Sequence, residues 1–138
     1  MPKHPILAID LDDTIFRELS EEQFPEVGPL FPKAKEAINS LYDQGYYIII
    51  WTCRSKAALH LAEEALVRNQ IKYHALNRQS PSIMLKYGSD TRKISADLYI
   101  DNKQLGGLPT SFNKDMDTLI PDWDRFYLQI TTFHNTAF

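Results

Sequence analysis

One cysteine in 138 residues, Cys53, leaves no partner for an internal disulfide and fits a reducing compartment. Long apolar runs are missing too. PILAI, at 5–9, is too short for a signal-peptide core, and YYIIIW, at 46–51, is far too short to span a bilayer. The cytoplasm is therefore the expected compartment, and no membrane is expected as a partner. Neither sign of charge dominates, with 15 basic against 18 acidic residues and a net charge of −3. That balance advertises no broad basic face for nucleic acid or anionic lipid, and it leaves room for a small anion bound in a local pocket. No repeat, low-complexity tract or Pro/Gly/Ser-rich linker divides the chain. Residues 1–138 read as one domain, long enough for a real core.

What is present alternates between two periods. PILAID, 5–10, reads as a short buried strand. Residues 17–32 are polar, with three prolines and a glycine, and read as a flap-like excursion. From Pro32 a helical pattern places Ala34, Ala37, Ile38, Leu41 and Tyr42 on one face, with Gly45 as its terminator. YYIIIWT, 46–52, is a second strand. Ser55 then caps a helix whose Ala58, Leu61, Ala62, Ala65 and Leu66 share a side. IKYHAL is a third strand, Ser80-Pro81 opens a short helix ending near Gly88, and DLYID, 97–101, is a fourth strand. The rest is loop until 121–138, where Pro121 is expected to open a last helix. Strand alternating with helix predicts an α/β fold, a Rossmann-like parallel sheet sandwiched by helices.

In such folds ligands bind beyond the carboxyl ends of the strands. Strand one ends in Asp10, Asp12, Asp13 and Thr14; strand two in Thr52, Cys53 and Arg54; strand four in Asp101, Asn102 and Lys103. Three aspartates within four positions repel one another unless a cation or a shared proton relieves them. Asp10 and Asp12 lie two apart on extended chain and point the same way. Against these negatives the nearby positives are Arg54 and Lys93. A hard divalent ion closes the gap, and oxygen-only ligands favour Mg²⁺.

These strand ends resemble, in order, the motifs of the haloacid dehalogenase (HAD) superfamily of phosphohydrolases. AIDLDDT is similar to its Asp-x-Asp-x-Thr motif, IIIWTCR to its second, and RKISADLYIDN to its third and fourth run together; the set spans residues 6–102. The DLYIDN lead-in is similar to small members acting in capsule and polysaccharide biosynthesis. The resemblance implies Asp10 as nucleophile and Asp12 as general acid/base, its proton affinity raised by acidic neighbours. It implies Mg²⁺ held by Asp10, Asp12 (through its backbone carbonyl) and Asp101, with Thr52 and Lys93 holding the phosphoryl oxygens. Lys86 competes with Lys93 for the lysine. Asn102 departs from the pattern, since many relatives carry a second aspartate there.

Arg54, Asp13 and Thr14 are candidate substrate-binding residues, although Arg54 serves equally well as a carboxylate's partner. Cys53 is expected to be packed rather than reactive. His4, His60, His74 and His134 show no ligand spacing. DMDT at 115–118 repeats the motif without a strand before it and reads as a surface turn. About 38 residues separate Thr14 from Thr52, too few for a folded cap, so an open site is expected, with 17–32 as its flap. The expected protein is a Mg²⁺-dependent phosphatase acting on a small phosphorylated metabolite such as a sugar phosphate or nucleotide. A nucleic-acid 3′-phosphatase and a non-catalytic phosphate- or metal-binding module are the competing readings. The aromatic residues at 123–133 are expected in the core or at a contact between copies in a homo-oligomer.

Overall fold

The structure, a computed structural model, describes residues 5–137, excepting the side chains of 135–137; His4 and the end of the C-terminal segment lie outside them. Four parallel strands form the sheet: β1 (Ile6–Ile9), β2 (Tyr47–Ile50), β3 (Ala75–Leu76) and β4 (Leu98–Ile100), in the order β3-β2-β1-β4. Four helices flank it: α1 (Ala34–Asp43), α2 (Lys56–Arg68), α3 (Pro81–Tyr87) and α4 (Trp123–Ala137). This is a Rossmann-like α/β fold. An antiparallel hairpin of β5 (Thr110–Asn113) and β6 (Thr118–Pro121) stands apart from the sheet. Among the described residues no helix is long and apolar enough to cross a membrane.

Alternation along the strands divides the core in two. Leu7, Ile9, Ile48 and Ile50 join Ile38 and Leu41 of α1, Leu66 of α2 and Trp123 and Phe126 of α4 in the larger cluster. Ala8, Ile49 and Ala75 form a smaller one with Ile94. No residue of α3 is buried. The face expected for α1 is the buried one, and Gly45 closes that helix at a φ of 99°. Leu61 is only half-buried on α2, and Ser55 sits at its N-cap position without a side-chain cap bond.

Three expected elements come out differently. The third strand shrinks to two residues because the Ile48 amide donates to the His74 imidazole Nδ1 at 3.0 Å, so a side chain occupies the ladder's place there. Pro121 ends β6 rather than opening α4. Asp122 is the residue that starts the helix, its Oδ1 accepting the Arg125 amide at 3.1 Å. The stretch read as loop also holds the β5–β6 hairpin, and the expected turn at 115–118 is its tip, running into β6 at Thr118.

Residues 17–32 carry no helix and pair only at their base. Phe16 bridges Leu30, and the Arg17 amide donates to the Pro29 carbonyl at 2.8 Å. Gly28 packs there so closely that an added Cβ would lie 1.9 Å from the Arg17 carbonyl oxygen, which is backbone and cannot rotate away. Gly28→Ala is expected to cost about 1–3 kcal/mol, as overpacking does. Urea unfolding of the two proteins measures the difference.

Candidate active site

The strand order reverses beside β1, with β2 on one side and β4 on the other. Ligands of parallel α/β sheets bind at such a reversal, outside the carboxyl ends of the strands. Ile9 pairs with Ile100, and the Asp10 amide donates to the Ile100 carbonyl at 2.8 Å, so the next residues in register are Asp10 and Asp101. A cavity of about 260 Å³ opens there, lined by Asp10, Asp12, Thr52, Cys53, Asp101, Asn102, Lys103 and the flap's Glu18 and Phe24, with Arg54 behind Asp12.

Asn102 spans the two acidic strand ends. Turned nitrogen-inward, its amide donates to Asp10 Oδ2 at 2.8 Å and to Asp101 Oδ1 at 3.2 Å. Turned oxygen-inward, the same two distances separate three oxygens. Two carboxylates bridged by one amide offer oxygens of the kind a small hard cation takes. Among the described residues no group of three or more His, Cys, Asp or Glu is placed to hold a metal. Two carboxylates with an amide oxygen and waters are nonetheless an ordinary Mg²⁺ donor set. The Asp10 carboxyl is pushed up from 3.8 to about 7, chiefly by burial and then by the Asp101 charge. Hydrogen bonds from the Leu11 amide and the Thr14 hydroxyl oppose that rise.

Thr14 does not touch the cavity. It is fully buried, its hydroxyl donating to Asp10 Oδ2 at 3.2 Å and accepting the Asn102 backbone N–H at 3.2 Å. Its carbonyl accepts the Trp123 indole N–H at 2.8 Å. The expected substrate contact is thus corrected to a support that ties the first acidic loop to the fourth strand and to α4. Asp13 is corrected likewise. At a φ of 61° it turns the chain, and its Oδ1 accepts the Glu18 amide at 2.8 Å.

Thr52 lines the cavity with its amide held by Asn77 Oδ1 at 2.7 Å and its hydroxyl accepting the Arg54 amide at 3.2 Å. Cys53 is corrected from packed to exposed, and it too lines the cavity. Of the two roles open to Arg54, substrate ligand and carboxylate partner, the second is the one seen: its guanidinium forks onto both oxygens of Asp12 at 2.8 and 2.9 Å. A guanidinium, rather than acidic neighbours alone, therefore faces the proposed proton carrier.

Neither candidate lysine reaches the site. Lys93 lies with its Nζ 5.8 Å from the centroid of the Tyr99 ring, and Lys86 lies over Tyr87. The fully buried Gln79 side chain donates to the Lys93 carbonyl at 2.9 Å and accepts the Ser95 backbone N–H at 3.0 Å, which holds the backbone here while residue 93 is exposed. Lys103 lines the cavity instead. The signal for it lay in the strand-end rule, because Lys103 follows Asp101 and Asn102 directly.

No protein-family model matches the chain, and no curated protein matches it. Among solved structures, a conserved protein of Bacteroides thetaiotaomicron superposes with a TM-score of 0.73 at 26% identity. The match covers 94% of this chain and 92% of that one.

Proposed function

We propose that the protein is a phosphomonoesterase of the HAD type, acting with Mg²⁺ on a small phosphorylated metabolite in the cytoplasm. One observation carries this reading: Asp10 and Asp101, crowded and partly out of water, meet across a single amide at the reversal of the strand order. Asp10, Asp101, Asn102 and the Asp12 carbonyl would hold the ion, which when bound supplies positive charge to both carboxylates and the phosphate.

The chain's own residues do the rest. An Asp10 carboxylate oxygen attacks phosphorus while the bond to the alcohol oxygen breaks, and the departing alkoxide takes a proton from Asp12. Water then attacks phosphorus, Asp12 takes its proton, and the bond to Asp10 breaks. Inorganic phosphate leaves and both carboxyl groups return to their starting states. Thr52 and Lys103 bind the phosphoryl oxygens as charge spreads over them. Glu18 and Phe24 of the flap line the site, and Glu21 and Glu26 line a neighbouring pocket that shares Asp12, Glu18, Phe24 and Arg54 with it; acidic groups so placed disfavour a polynucleotide substrate.

The test is phosphate release from 4-nitrophenyl phosphate and from a panel of sugar phosphates and nucleotides, with Mg²⁺ and with chelator. Release that needs the ion supports the reading; Mg²⁺-dependent binding of these esters without release would instead mark a non-catalytic module. A second measurement checks the lysine. Lys103→Ala is expected to lower kcat/KM roughly ten- to hundredfold, the worth of a hydrogen bond to a charged group. Lys93→Ala should stay within about twofold of wild type, as exposed surface changes usually do. The reverse order would return the role to Lys93.

A further inference from the structure

The side chain of Arg54 is almost wholly buried, and a guanidinium out of water is costly unless each of its five N–H donors is matched. Here all five are. Nε donates to Asp12 Oδ2 at 2.8 Å, and one N–H of Nη2 to Asp12 Oδ1 at 2.9 Å. The other Nη2 donor goes to the Glu26 carbonyl at 3.1 Å. Nη1 donates to the carbonyls of Pro25, at 2.6 Å, and Ala58, at 3.3 Å. The ring of Phe24 covers the guanidinium, with Cζ 5.3 Å from the ring centroid. Nothing is left over for a phosphate. One rigid plane instead joins the Asp12 carboxylate to the tip of the flap, whose other fastening is at its base.

We infer that Arg54 is a positioning residue that sets the Asp12 carboxylate against Asp10 and, through the same plane, fixes flap residues 24–26, of which Phe24 lines the cavity. Moving the flap tip strips the buried guanidinium of two acceptors, and moving Asp12 strips it of two more. The placement of the proton carrier and the closure of the cavity are therefore one adjustment. The catalytic half of this inference rests on the reading of Asp12 given above; the flap half does not. Lysine, a point charge without the fork, restores the charge but not the geometry.

Two measurements on Arg54→Ala and Arg54→Lys test it. Amide hydrogen exchange without substrate is expected to quicken at least about tenfold across 18–27 in Arg54→Ala, with β1 and β2 unchanged, as local opening requires. Turnover is then compared between 4-nitrophenyl phosphate, whose phenolate leaves without a proton, and glycerol 2-phosphate, whose alkoxide needs one. The alkyl-to-aryl ratio of kcat/KM, which reports the step in which the leaving group departs and not the later hydrolysis common to both esters, is expected to fall at least about tenfold, within the usual worth of a positioned general acid. Arg54→Lys should lie between the two proteins, and it carries both measurements if the alanine variant does not fold. Wild-type exchange across the flap, or an equal loss on both esters, overturns the inference. If wild type hydrolyses neither ester, the phosphatase reading falls, and flap exchange alone decides whether Arg54 fastens the flap.

Discussion

Asp10→Asn is expected to reduce phosphate release to background and, without metal, to make the protein harder to melt at pH 8. Both effects come from the same carboxyl. Its pKa stands at about 7 in the folded chain against an ordinary 3.8, so the folded state binds that proton more tightly than the unfolded one does. Below pH 3.8 the group is protonated in both states and costs nothing. Between 3.8 and 7 its contribution to stability falls as pH rises, and above 7 the full cost is present. At 1.36 kcal/mol per unit that cost is about 4 kcal/mol at most, because the carboxyl is only partly buried. The neutral amide removes it. Melting wild type and Asp10→Asn in chelator should show the variant ahead at pH 8, with the gap closing as pH falls towards 4. Excess Mg²⁺ should narrow the gap at pH 8 by binding wild type more tightly. A variant that melts below wild type in chelator at pH 8 would mean that Asp10 is not the strained carboxyl of this fold.

The largest loss of stability is expected at Trp123, far from Asp10 in sequence. Its side chain is only 1% exposed, and its indole N–H holds the Thr14 carbonyl. Trp123→Ala empties a large core volume, at about 3–5 kcal/mol, and leaves that carbonyl without its donor. Against a total of about 5–15 kcal/mol for a typical domain, this threatens folding itself. Trp123→Phe refills most of the space and lacks only the N–H, so about 1–2 kcal/mol is expected to be lost. Thermal unfolding of both variants measures the two costs. Equal melting temperatures for Trp123→Phe and wild type would show that the indole bond to the Thr14 carbonyl contributes nothing.

Much of the architecture was legible because β1, β2 and β4 are apolar runs ending in polar clusters, and α1 and α2 carry clean helical stripes. Asp10 and Asp101 could be placed near one another because parallel strands put their carboxyl ends on one edge of the sheet. What escaped depends on side chains that replace backbone partners. His74 standing in for a ladder carbonyl shortened β3, and Gln79 holds the backbone where Lys93 stands exposed. The hairpin was hidden because six of the eight residues from Thr110 to Asp117 are polar, leaving no period to read. For Arg54 the residue type allowed either a phosphate or a carboxylate as partner, and only the count of its donors separates them.

Joining the first strand to the fourth also dictates when the acidic centre can exist as the chain folds. The Ile6 amide donates to Asp97 Oδ2 across 91 positions of sequence, whereas β1 can find β2 after a much shorter closure. Long closures are entropically costly and come late. An early intermediate built on β1, α1 and β2 would hold Asp10 without Asp101, and so would carry half of the proposed cation site. Mg²⁺ should then act on the unfolding rate of the finished fold more than on the rate of early collapse.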